Sequence, residues 1–378
     1  MTSNPMPAGP SPGSVIVIGG GICGSTAAAV LAQAGWQVTL LDAHATHERH
    51  LAAALTPVIS SDDDVRSKLS RLGAGMADRY WRSLGPQIGS PCGALQLQRV
   101  EGGKRVQDLQ AQAAAYGDPG WAQWVSREQA SELAGLDLLR GGIWFAGGWL
   151  IRVPELIRTL QASPGIKRVN TKIERLRPVA HQWEAVDASG QVTGESDAVV
   201  LANAFDTIGL LERSGLDDTL NACRRLRALH RLAGEITLLP ATDLRGGPKC
   251  IVGGDGYVLP AVDGWCVSGG TYVRGVEVPC CTQAGRQANL ARAEDLLGIN
   301  PQPFGDCCDL PGWAGWRAVL PGRLPAIGQL PKARNLWVFS AAASRGLTWS
   351  VLGATLIREG LSGGRSMLDS SLMTAIEP

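Results

Sequence analysis

Three glycines near the start of the chain have the spacing of a phosphate-binding turn. Gly19, Gly21 and Gly24 follow residues 14–18, an apolar, β-branched run that is typical of a buried parallel strand. The first glycine permits a tight turn, the second lets a pyrophosphate approach the backbone, and the third lets the next helix pack closely on the sheet. The positive end of that helix then faces the phosphates. The spacing therefore predicts a site for the pyrophosphate of a dinucleotide.

An acidic residue follows these glycines at the distance that such a site requires. Residues 25–34 are rich in alanine and predict a helix that stops at Gly35, and residues 37–41 predict a second strand that ends at Asp42. At about 20 residues beyond the glycines, a carboxylate can accept hydrogen bonds from the ribose hydroxyls of an adenosine. A lone Gly-x-Gly-x-x-Gly is a weak signal, but one inside a complete strand–helix–strand unit with a terminal acid is specific.

The other elements that must hold a dinucleotide lie far along the chain. Residues 197–203 and 336–340 predict buried parallel strands, and residues 166–173 predict an edge strand on the adenine side. A helix over 348–360 would point its N-terminus at the cofactor. Alternating segments between these runs predict antiparallel strands of a second domain, at 95–100, 232–239 and 265–272.

These elements predict an α/β protein in two parts, as the length of 378 residues also favours. One part is a Rossmann-like nucleotide-binding domain, and the other is an α+β substrate domain built on an antiparallel sheet. The predicted boundaries are a flexible lead at 1–13, a nucleotide-binding domain at 14–90, 148–215 and 318–378, and a substrate domain at 91–147 and 216–317.

The charge of the chain is nearly balanced, with 35 Lys and Arg against 34 Asp and Glu. A globally basic nucleic-acid-binding protein is therefore excluded, and any basic stripe must be local. The first candidate run is Arg224, Arg225, Arg227, His230 and Arg231, and Lys332 with Arg334 forms a second small group. A solvated helix face explains the first run equally well.

The cysteines and histidines predict no metal site. None of the nine Cys forms a Cys-x-x-Cys pair, and the five His show no zinc-ligand spacing. We interpret the doublets Cys280-Cys281 and Cys307-Cys308 as reduced thiols. The chain has no apolar run long enough for a membrane span and no signal-peptide pattern at its start, which predicts a cytoplasmic protein that does not enter the membrane.

The N-terminal motif resembles a known flavoprotein family when it is read with residues 336–340 (LWVFS) and 344–347 (SRGL). This is the D-amino-acid-oxidase-like family, which includes glycine and sarcosine oxidases. More closely, the chain resembles the oxidoreductase domain of the bifunctional tRNA 5-methylaminomethyl-2-thiouridine biosynthesis proteins. The segments that carry this resemblance occur in the same order along nearly the whole chain: 92–98, 141–150, 199–204, 255–260, 322–331 and 344–347.

The resemblance implies noncovalently bound FAD and oxidation of a secondary amine. The implied substrate is 5-carboxymethylaminomethyl-uridine at the wobble position of tRNA, which yields aminomethyl-uridine and glyoxylate, with dioxygen as electron acceptor. The methyltransferase domain that is usually fused in front of this domain is missing from the sequence, and a separate methyltransferase is one candidate partner. One alternative is an oxidase of free glycine, N-methyl-glycine or D-amino acids, and a second is a non-catalytic flavin-binding module. An NAD(P)H dehydrogenase would ordinarily need another Gly-x-Gly-x-x-Gly unit.

The resemblance also implies roles for individual residues. Arg317 matches the arginine that binds the substrate carboxylate, Tyr257 its hydroxyl partner, and Arg345 a residue close to both flavin and substrate. Structural roles stay open for each: an interdomain salt bridge for Arg317, a core position for Tyr257, and contacts to loop carbonyls for Arg345. The residues expected to contact FAD are Gly19, Gly21, Ile22, Cys23, Gly24, Asp42, Ala54, Ile173, Ala202, Asn203, Ser344, Arg345, Gly346, Leu347 and Thr348.

Two stretches depart from the family pattern. Residues 48–54 replace a stretch of small polar residues that contacts the flavin, and an Arg-Gly-Glu turn becomes Ala233-Gly234-Glu235.

Overall fold

The computed structural model describes residues 12–43, 48–60, 62–98, 120–299 and 309–378. Most of the predicted lead and the Cys307-Cys308 doublet therefore lie outside the described residues. The strands are β1 Ser14–Ile18, β2 Gln37–Leu41, β3 Ala53–Leu55, β4 Gly89–Pro91, β5 Ala94–Leu97, β6 Gln123–Val125, β7 Gly142–Phe145, β8 Trp149–Ile151, β9 Ile166–Val169, β10 Ile173–Val179, β11 Gln182–Asp187, β12 Val192–Ser196, β13 Ala198–Leu201, β14 His230–Pro240, β15 Ile251–Gly254, β16 Gly256–Val258, β17 Trp265–Gly269, β18 Gly312–Val319, β19 Ala326–Gln329 and β20 Leu336–Ser340. The helices are α1 Ile22–Gln33, α2 Val65–Arg82, α3 Arg127–Ala134, α4 Val153–Gln161, α5 Asp206–Arg213, α6 Asp217–Ala222, α7 Gln283–Leu297, α8 Gly346–Leu361 and α9 Ser370–Ile376. None of these helices is long and apolar enough to cross a bilayer.

The chain divides into two compact units. Unit 1 comprises Met1–Ala45, Ile157–His230 and Ala318–Pro378, and unit 2 comprises Thr46–Leu156 and Arg231–Arg317. The predicted boundaries differ from these at three places, since residues 46–90 and 148–156 group with unit 2 and residues 216–230 with unit 1.

Side-chain packing explains this division. Ala52 and Leu150, on segments that the sequence assigns to the nucleotide-binding domain, pack in the same core cluster as Phe145 of unit 2. Conversely, Leu226 and Leu229 pack in the core of unit 1. Such pairings join residues that are distant in the sequence, and hydrophobic periodicity carries no information about them.

Unit 1 is built on a six-stranded sheet in the order β19-β20-β13-β1-β2-β9. Strand β1 pairs in parallel with both β2 and β13, and β20 and β9 extend the parallel sheet on either side. Only β19, at the edge, runs antiparallel to its neighbour. The strand order reverses between β1 and β13, which is the switch point where doubly wound folds bind ligands. The predicted Rossmann-like domain is confirmed.

The predicted edge strand over 166–173 is split in the structure. Strand β9 ends at Val169, and Ile173 begins β10 of a separate antiparallel sheet, β10-β11-β12. Ile173 and Trp183 of this small sheet are buried in the same core cluster as Ile16 of β1. The chain leaves the main sheet there, since β10 pairs with β11 and packs Ile173 and Leu176 into the core of unit 1.

Unit 2 contains an eight-stranded sheet in the order β18-β14-β17-β16-β15-β5-β7-β6. Its described pairings are antiparallel except that of β15 with β5, so the predicted antiparallel-sheet domain is confirmed. A core cluster that includes residues of α7 and α3 packs on one face of this sheet. A second cluster includes Ala52 of the segment that precedes β3, together with Leu150 of β8.

Candidate active site

The glycine turn of unit 1 leaves no room for side chains. Gly19 has φ +105°, and a Cβ there would lie 2.5 Å from the carbonyl oxygen of Ala202 and 2.8 Å from the amide nitrogen of Asn203. A Cβ on Gly24 would overlap the carbonyl oxygen of Gly19. The turn off β1 and the first turn of α1 therefore meet as closely as two backbones can. These contacts give the first and third glycines the roles expected from their spacing.

The start of α1 is open to an anion. Gly21 is the N-cap residue, no side chain of a described residue caps the helix, and its first turn contains no acid. Backbone N–H groups at such an end are available to phosphate oxygens. Ile22 and Cys23 form the first helical turn.

A polar contact that spacing does not reveal holds this turn in place. The carbonyl oxygen of Gly20 accepts hydrogen bonds from Ser25 Oγ at 2.8 Å and from Gln161 Nε2 at 3.1 Å. Gln161 also donates to Ser25 Oγ at 2.9 Å. Because Gln161 ends α4, far along the chain, no local sequence pattern indicates this contact.

Asp42 lies beside the glycine turn. Its amide donates to the carbonyl of Val169 at 3.2 Å, which fixes the end of β2 against β9. A carboxylate oxygen of Asp42 lies 2.5 Å from the point that a Cβ on Gly20 would occupy. Ile173 is buried in the core of this unit together with Leu41, so its side chain supports the strand end rather than facing solvent. The acid is thus placed for ribose hydroxyls next to the phosphate turn.

The switch point carries a further pair of predicted residues. Ala202 donates from its amide to the carbonyl of Ile18 at 2.8 Å, which continues the pairing of β13 with β1. Asn203 follows, and its Oδ1 accepts a hydrogen bond from Thr207 Oγ1 at 2.8 Å. Both residues therefore lie at the carboxyl edge of the parallel sheet, next to Gly19.

A second helix begins at this same edge. Strand β20 ends at Ser340, and α8 begins at Gly346 with Arg345 as its N-cap residue and with no acid in its first turn. Leu347 and Thr348 are buried, whereas Ser344 is exposed. Helix α8 packs against α1. Two helix N-termini thus lie at the carboxyl ends of β1 and β20, and such ends are favourable positions for phosphate groups.

Arg317 of unit 2 is placed to bind a carboxylate. Its half-buried side chain donates from Nη1 to the carbonyl of Thr271 at 3.0 Å, and its guanidinium carbon lies 4.6 Å from the centre of the Tyr272 ring. No Asp or Glu among the described residues forms an ion pair with it. One hydrogen bond and one ring contact leave most of the guanidinium N–H groups for a ligand, and the planar fork suits a carboxylate.

A glycine makes this position of Arg317 accessible. A Cβ on Gly234 would overlap Arg317 Nη1. The altered Ala233-Gly234-Glu235 turn therefore keeps the glycine that the guanidinium needs. Glu235 fixes the adjoining strand, since its amide donates to Thr271 Oγ1 at 3.0 Å and its carbonyl accepts from the Thr271 amide at 3.1 Å.

Glu235 is buried, and its carboxylate accepts hydrogen bonds from the start of α7. It accepts hydrogen bonds from the amide of Thr282 at 2.7 Å and from Thr282 Oγ1 at 2.9 Å, at the N-cap of α7. An acid at a helix N-terminus is favourably placed. Its negative charge is therefore engaged at the start of α7, and it forms no ion pair with Arg317.

Tyr257 converges with Arg317. Its hydroxyl lies 3.9 Å, and Arg317 Nη2 lies 3.3 Å, from the point that a Cβ on Gly270 would occupy. Although part of the tyrosine side chain remains accessible, burial raises the pKa of Tyr257 to about 12, against the opposing effect of the Arg317 charge. The hydroxyl is therefore a neutral hydrogen-bond donor at physiological pH.

The sequence did not predict several aromatic residues of unit 2 that lie around Arg317 or on its side of β18. Tyr272, which stacks on Arg317, is 53% exposed. Trp313 precedes Arg317 by four residues and so lies on the same side of β18. The His50 ring contacts the Trp313 ring edge-on, with 4.5 Å between the centroids. His50 belongs to the stretch that departs from the family pattern, and Ala54 packs on the same core cluster as Trp313. The only sequence feature that could have indicated the role of Tyr272 is an aromatic residue directly after Thr271.

Replacing Tyr257 by phenylalanine tests the role of the hydroxyl. We expect kcat/KM for a carboxylate substrate to fall by roughly 10- to 100-fold, the usual cost of a lost hydrogen bond to a charged group. Bound FAD should be unchanged.

In the wild type, affinity for N-methyl-glycine should show no loss from tyrosine ionisation up to about pH 10, because the raised pKa keeps the hydroxyl protonated. Titration of N-methyl-glycine affinity against pH measures this effect. A fall in kcat/KM of less than twofold in Tyr257→Phe would contradict the role assigned to the hydroxyl.

Comparisons with known proteins agree with this geometry. A protein-family model described as FAD dependent oxidoreductase matches residues 14–359. The tRNA 5-methylaminomethyl-2-thiouridine biosynthesis bifunctional protein MnmC of Ralstonia nicotianae is 33% identical over 405 residues, covering 96% of this chain and 59% of that protein. The protein of the same name from Thiobacillus denitrificans is 33% identical over 382 residues, covering 97% of this chain and 59% of its own length. The chain thus spans about three fifths of the length of these relatives.

Solved structures show the same fold. Glycine oxidase from Geobacillus kaustophilus superposes with a TM-score of 0.76 at 19% identity, over 95% of this chain and 97% of that one. Iminodiacetate oxidase from Chelativorans sp. BNC1 gives a TM-score of 0.74 at 20% identity, over 96% and 98% of the two chains. The resemblance to D-amino-acid-oxidase-like flavoproteins is therefore confirmed. Since the family model covers most of the chain and the glycine turn fits its cofactor, this protein belongs to the FAD-dependent oxidoreductase family.

Proposed function

We propose that this protein oxidises a secondary amine that carries a carboxylate, most specifically 5-carboxymethylaminomethyl-uridine at the wobble position of tRNA. Two-electron oxidation of the amine gives an imine, which water hydrolyses to aminomethyl-uridine and glyoxylate, and dioxygen takes up the two electrons to give hydrogen peroxide. The observation that carries the proposal is the convergence of the Arg317 guanidinium, which has no acidic partner among the described residues, with the neutral hydroxyl of Tyr257.

The two side chains have complementary tasks. Arg317 binds both oxygens of the glycyl carboxylate and so fixes its direction, and Tyr257 donates a further hydrogen bond. A receptor of this kind has no use in a non-catalytic flavin-binding module. Arg345, in unit 1, is assigned to the flavin and substrate on resemblance alone. No histidine is needed as a base, since a neutral substrate amine can be oxidised directly.

FAD is held by residues of unit 1 on this proposal. The N-terminus of α1 with Gly19, Gly21 and Gly24 binds the pyrophosphate, and Asp42 binds the ribose. Bound FAD supplies the two-electron acceptor for the amine. We expect noncovalent binding, because no Cys or His of the sequence occupies a recognisable flavinylation motif. Denaturation should release all of the flavin.

The tRNA substrate is supported by the names of the relatives and by the order in which the matching segments occur. On this proposal the protein is cytoplasmic and uses dioxygen as electron acceptor. The near-neutral charge of +1 favours the other candidate, an oxidase of free glycine, N-methyl-glycine or D-amino acids.

A product assay separates these candidates. Purified holoenzyme is incubated in air with tRNA that carries carboxymethylaminomethyl-uridine, and glyoxylate and the wobble nucleoside are measured by mass spectrometry. The matched control is the same tRNA without the carboxymethylaminomethyl group. We expect glyoxylate and aminomethyl-uridine in equal amounts from the first tRNA only. Turnover of glycine, N-methyl-glycine or D-alanine without any reaction of the tRNA would establish the alternative.

A further inference from the structure

The basic run at 224–231 is divided between different roles in the structure. Arg224 and Arg227 are exposed, whereas Arg225 is half-buried. His230 is half-buried as well and contacts the carbonyl of Ala228 through Nδ1 at 3.3 Å. Arg231 belongs to unit 2, where its guanidinium stacks on Trp316. The run is therefore not one solvated helix face: Arg224, Arg227 and Arg231 are exposed, but Arg231 belongs to unit 2 and stacks on Trp316.

Arg225 anchors this segment to another part of unit 1. Its Nη2 donates to the carbonyl oxygens of Leu324 at 3.4 Å and Pro325 at 3.2 Å, and its Nη1 donates to the carbonyl of Glu377. The anchor brings the segment around Arg224 and Arg227 against residues 321–325, where Arg323 is also exposed. We call Arg224, Arg227 and Arg323 the basic surface.

Strand pairing locates the basic surface at the carboxyl edge of the parallel sheet. Pro325 precedes Ala326, the first residue of β19, and Ala326 pairs with Ser340, the last residue of β20. Because β20, β13 and β1 are parallel, Ser340 lies at the same edge as Asn203 and the glycine turn. The basic surface therefore adjoins the edge at which the cofactor site is built.

The second basic group lies at the opposite edge. Lys332 and Arg334 are exposed in the connection between β19 and β20, which precedes the first residue of β20. Arg365 follows α8, whose axis runs back from the carboxyl edge, and it is exposed as well. These three cations match the basic surface in number and exposure but not in position.

The cations of the basic surface have no acidic partners. Among the described residues, Arg224, Arg227 and Arg323 form no ion pair. Asp217 and Asp218 are exposed at the start of α6, and Glu377 is exposed beside Arg225, which donates to its carbonyl. None of these three acids forms an ion pair with the arginines of the basic surface. In a chain whose net charge is only +1, three uncompensated guanidinium groups on two adjoining segments form a local positive field.

We propose that the basic surface binds the phosphate backbone of the tRNA whose wobble uridine enters the active site. Guanidinium groups bind phosphates with good geometry, and such contacts position a nucleic acid without reading its sequence. The position at the carboxyl edge lets a tRNA bind beside the cofactor while its modified base reacts. This inference rests on the proposed function and names the surface that supplies RNA affinity.

The test compares two triple variants of the FAD-loaded protein. Arg224→Ala/Arg227→Ala/Arg323→Ala removes the basic surface, and Lys332→Ala/Arg334→Ala/Arg365→Ala removes the same charge at the opposite edge. Kd for the tRNA with carboxymethylaminomethyl-uridine is measured by fluorescence anisotropy at several salt concentrations. We expect the first variant to bind at least about 10-fold more weakly, with the slope of log Kd against log salt reduced by about 2, since each phosphate contact contributes roughly 0.7–0.9. The second variant should bind within about twofold of the wild type.

Small substrates separate a failure of this inference from a failure of the proposed function. Reduction of the flavin by N-methyl-glycine or by the free modified nucleoside should be equal in both variants and the wild type. Wild-type tRNA affinity in the first variant, an equal loss in both, or no tRNA binding by the wild type would overturn the inference. If tRNA binds as expected but is not oxidised by the wild type, the RNA surface stands and the proposed substrate is wrong.

Discussion

Replacement of Arg317 by alanine is expected to lower kcat/KM for a carboxylate substrate by roughly 100- to 1,000-fold and to leave bound FAD unchanged. On the proposed function, the guanidinium supplies the positive charge that binds the substrate carboxylate, and its planar fork fixes the direction of that carboxylate. Its role is local to unit 2, whereas the glycine turn that holds the cofactor belongs to unit 1. Turnover and cofactor content should therefore separate in this variant.

Two further variants make this result specific. Arg317→Lys keeps the charge but loses the planar fork, so we expect an intermediate loss. Arg231→Ala is the matched control, because Arg231 stacks on Trp316 at 4.6 Å as Arg317 stacks on Tyr272, but adjacent residues of β18 face opposite sides of the sheet. Steady-state kinetics with tRNA that carries carboxymethylaminomethyl-uridine, together with flavin absorbance, measure both effects. Unchanged turnover in Arg317→Ala would show that the arginine is structural.

Replacement of Gly24 by alanine is expected to reduce bound FAD to about a tenth or less. The new Cβ would overlap the carbonyl oxygen of Gly19, so α1 must move away from the turn that binds the pyrophosphate. Overpacking of this kind costs about 1–3 kcal/mol, and the displacement removes the N–H groups of the helix from the phosphates. We also expect a lower melting temperature.

Flavin absorbance relative to protein absorbance after desalting measures the loss. Gly147→Ala provides the control, since a Cβ there meets nothing within 4 Å and its φ is not in the left-handed region. That variant should keep its FAD. Full FAD occupancy in Gly24→Ala would mean that the cofactor does not depend on close packing of α1 against the turn.

The nucleotide-binding half of the fold was predictable because its signals are local. The runs at 14–18 and 37–41 coincide with β1 and β2, since buried parallel strands show as short apolar runs between turns. The first helix begins at Ile22 in the structure, three residues before its predicted start, because the glycine turn and not the first alanine starts it. Asp42, Ala202 and Asn203 follow strands and so lie at the carboxyl edge as expected.

The remaining features depend on contacts between distant segments. Gln161 holds the carbonyl of Gly20, and Arg225 anchors its segment to Leu324 and Pro325, yet neither pair shares a sequence pattern. The run at 224–231 could be identified as basic, but only packing separates the anchoring Arg225 from its exposed neighbours. The stacking of Tyr272 on Arg317 was missed for the same reason.

The altered stretch at 48–54 also required the structure. By sequence it only replaces small polar residues, but in unit 2 it brings His50 against the ring of Trp313, on the same side of β18 as Arg317. The departure from the family pattern thus places an imidazole against Trp313, on the same side of β18 as Arg317.

Anaerobic reduction of the flavin tests the central claim most directly. The holoenzyme is mixed without oxygen with tRNA carrying carboxymethylaminomethyl-uridine and, separately, with glycine, N-methyl-glycine and D-alanine, and the loss of flavin absorbance is followed over time. The proposed function predicts rapid and complete reduction by the modified tRNA, at most slow reduction by the free amino acids, and reduction by the tRNA that is at least about 100-fold slower in Arg317→Ala. A flavin that stays oxidised with the modified tRNA but is reduced rapidly by a free amino acid would contradict it.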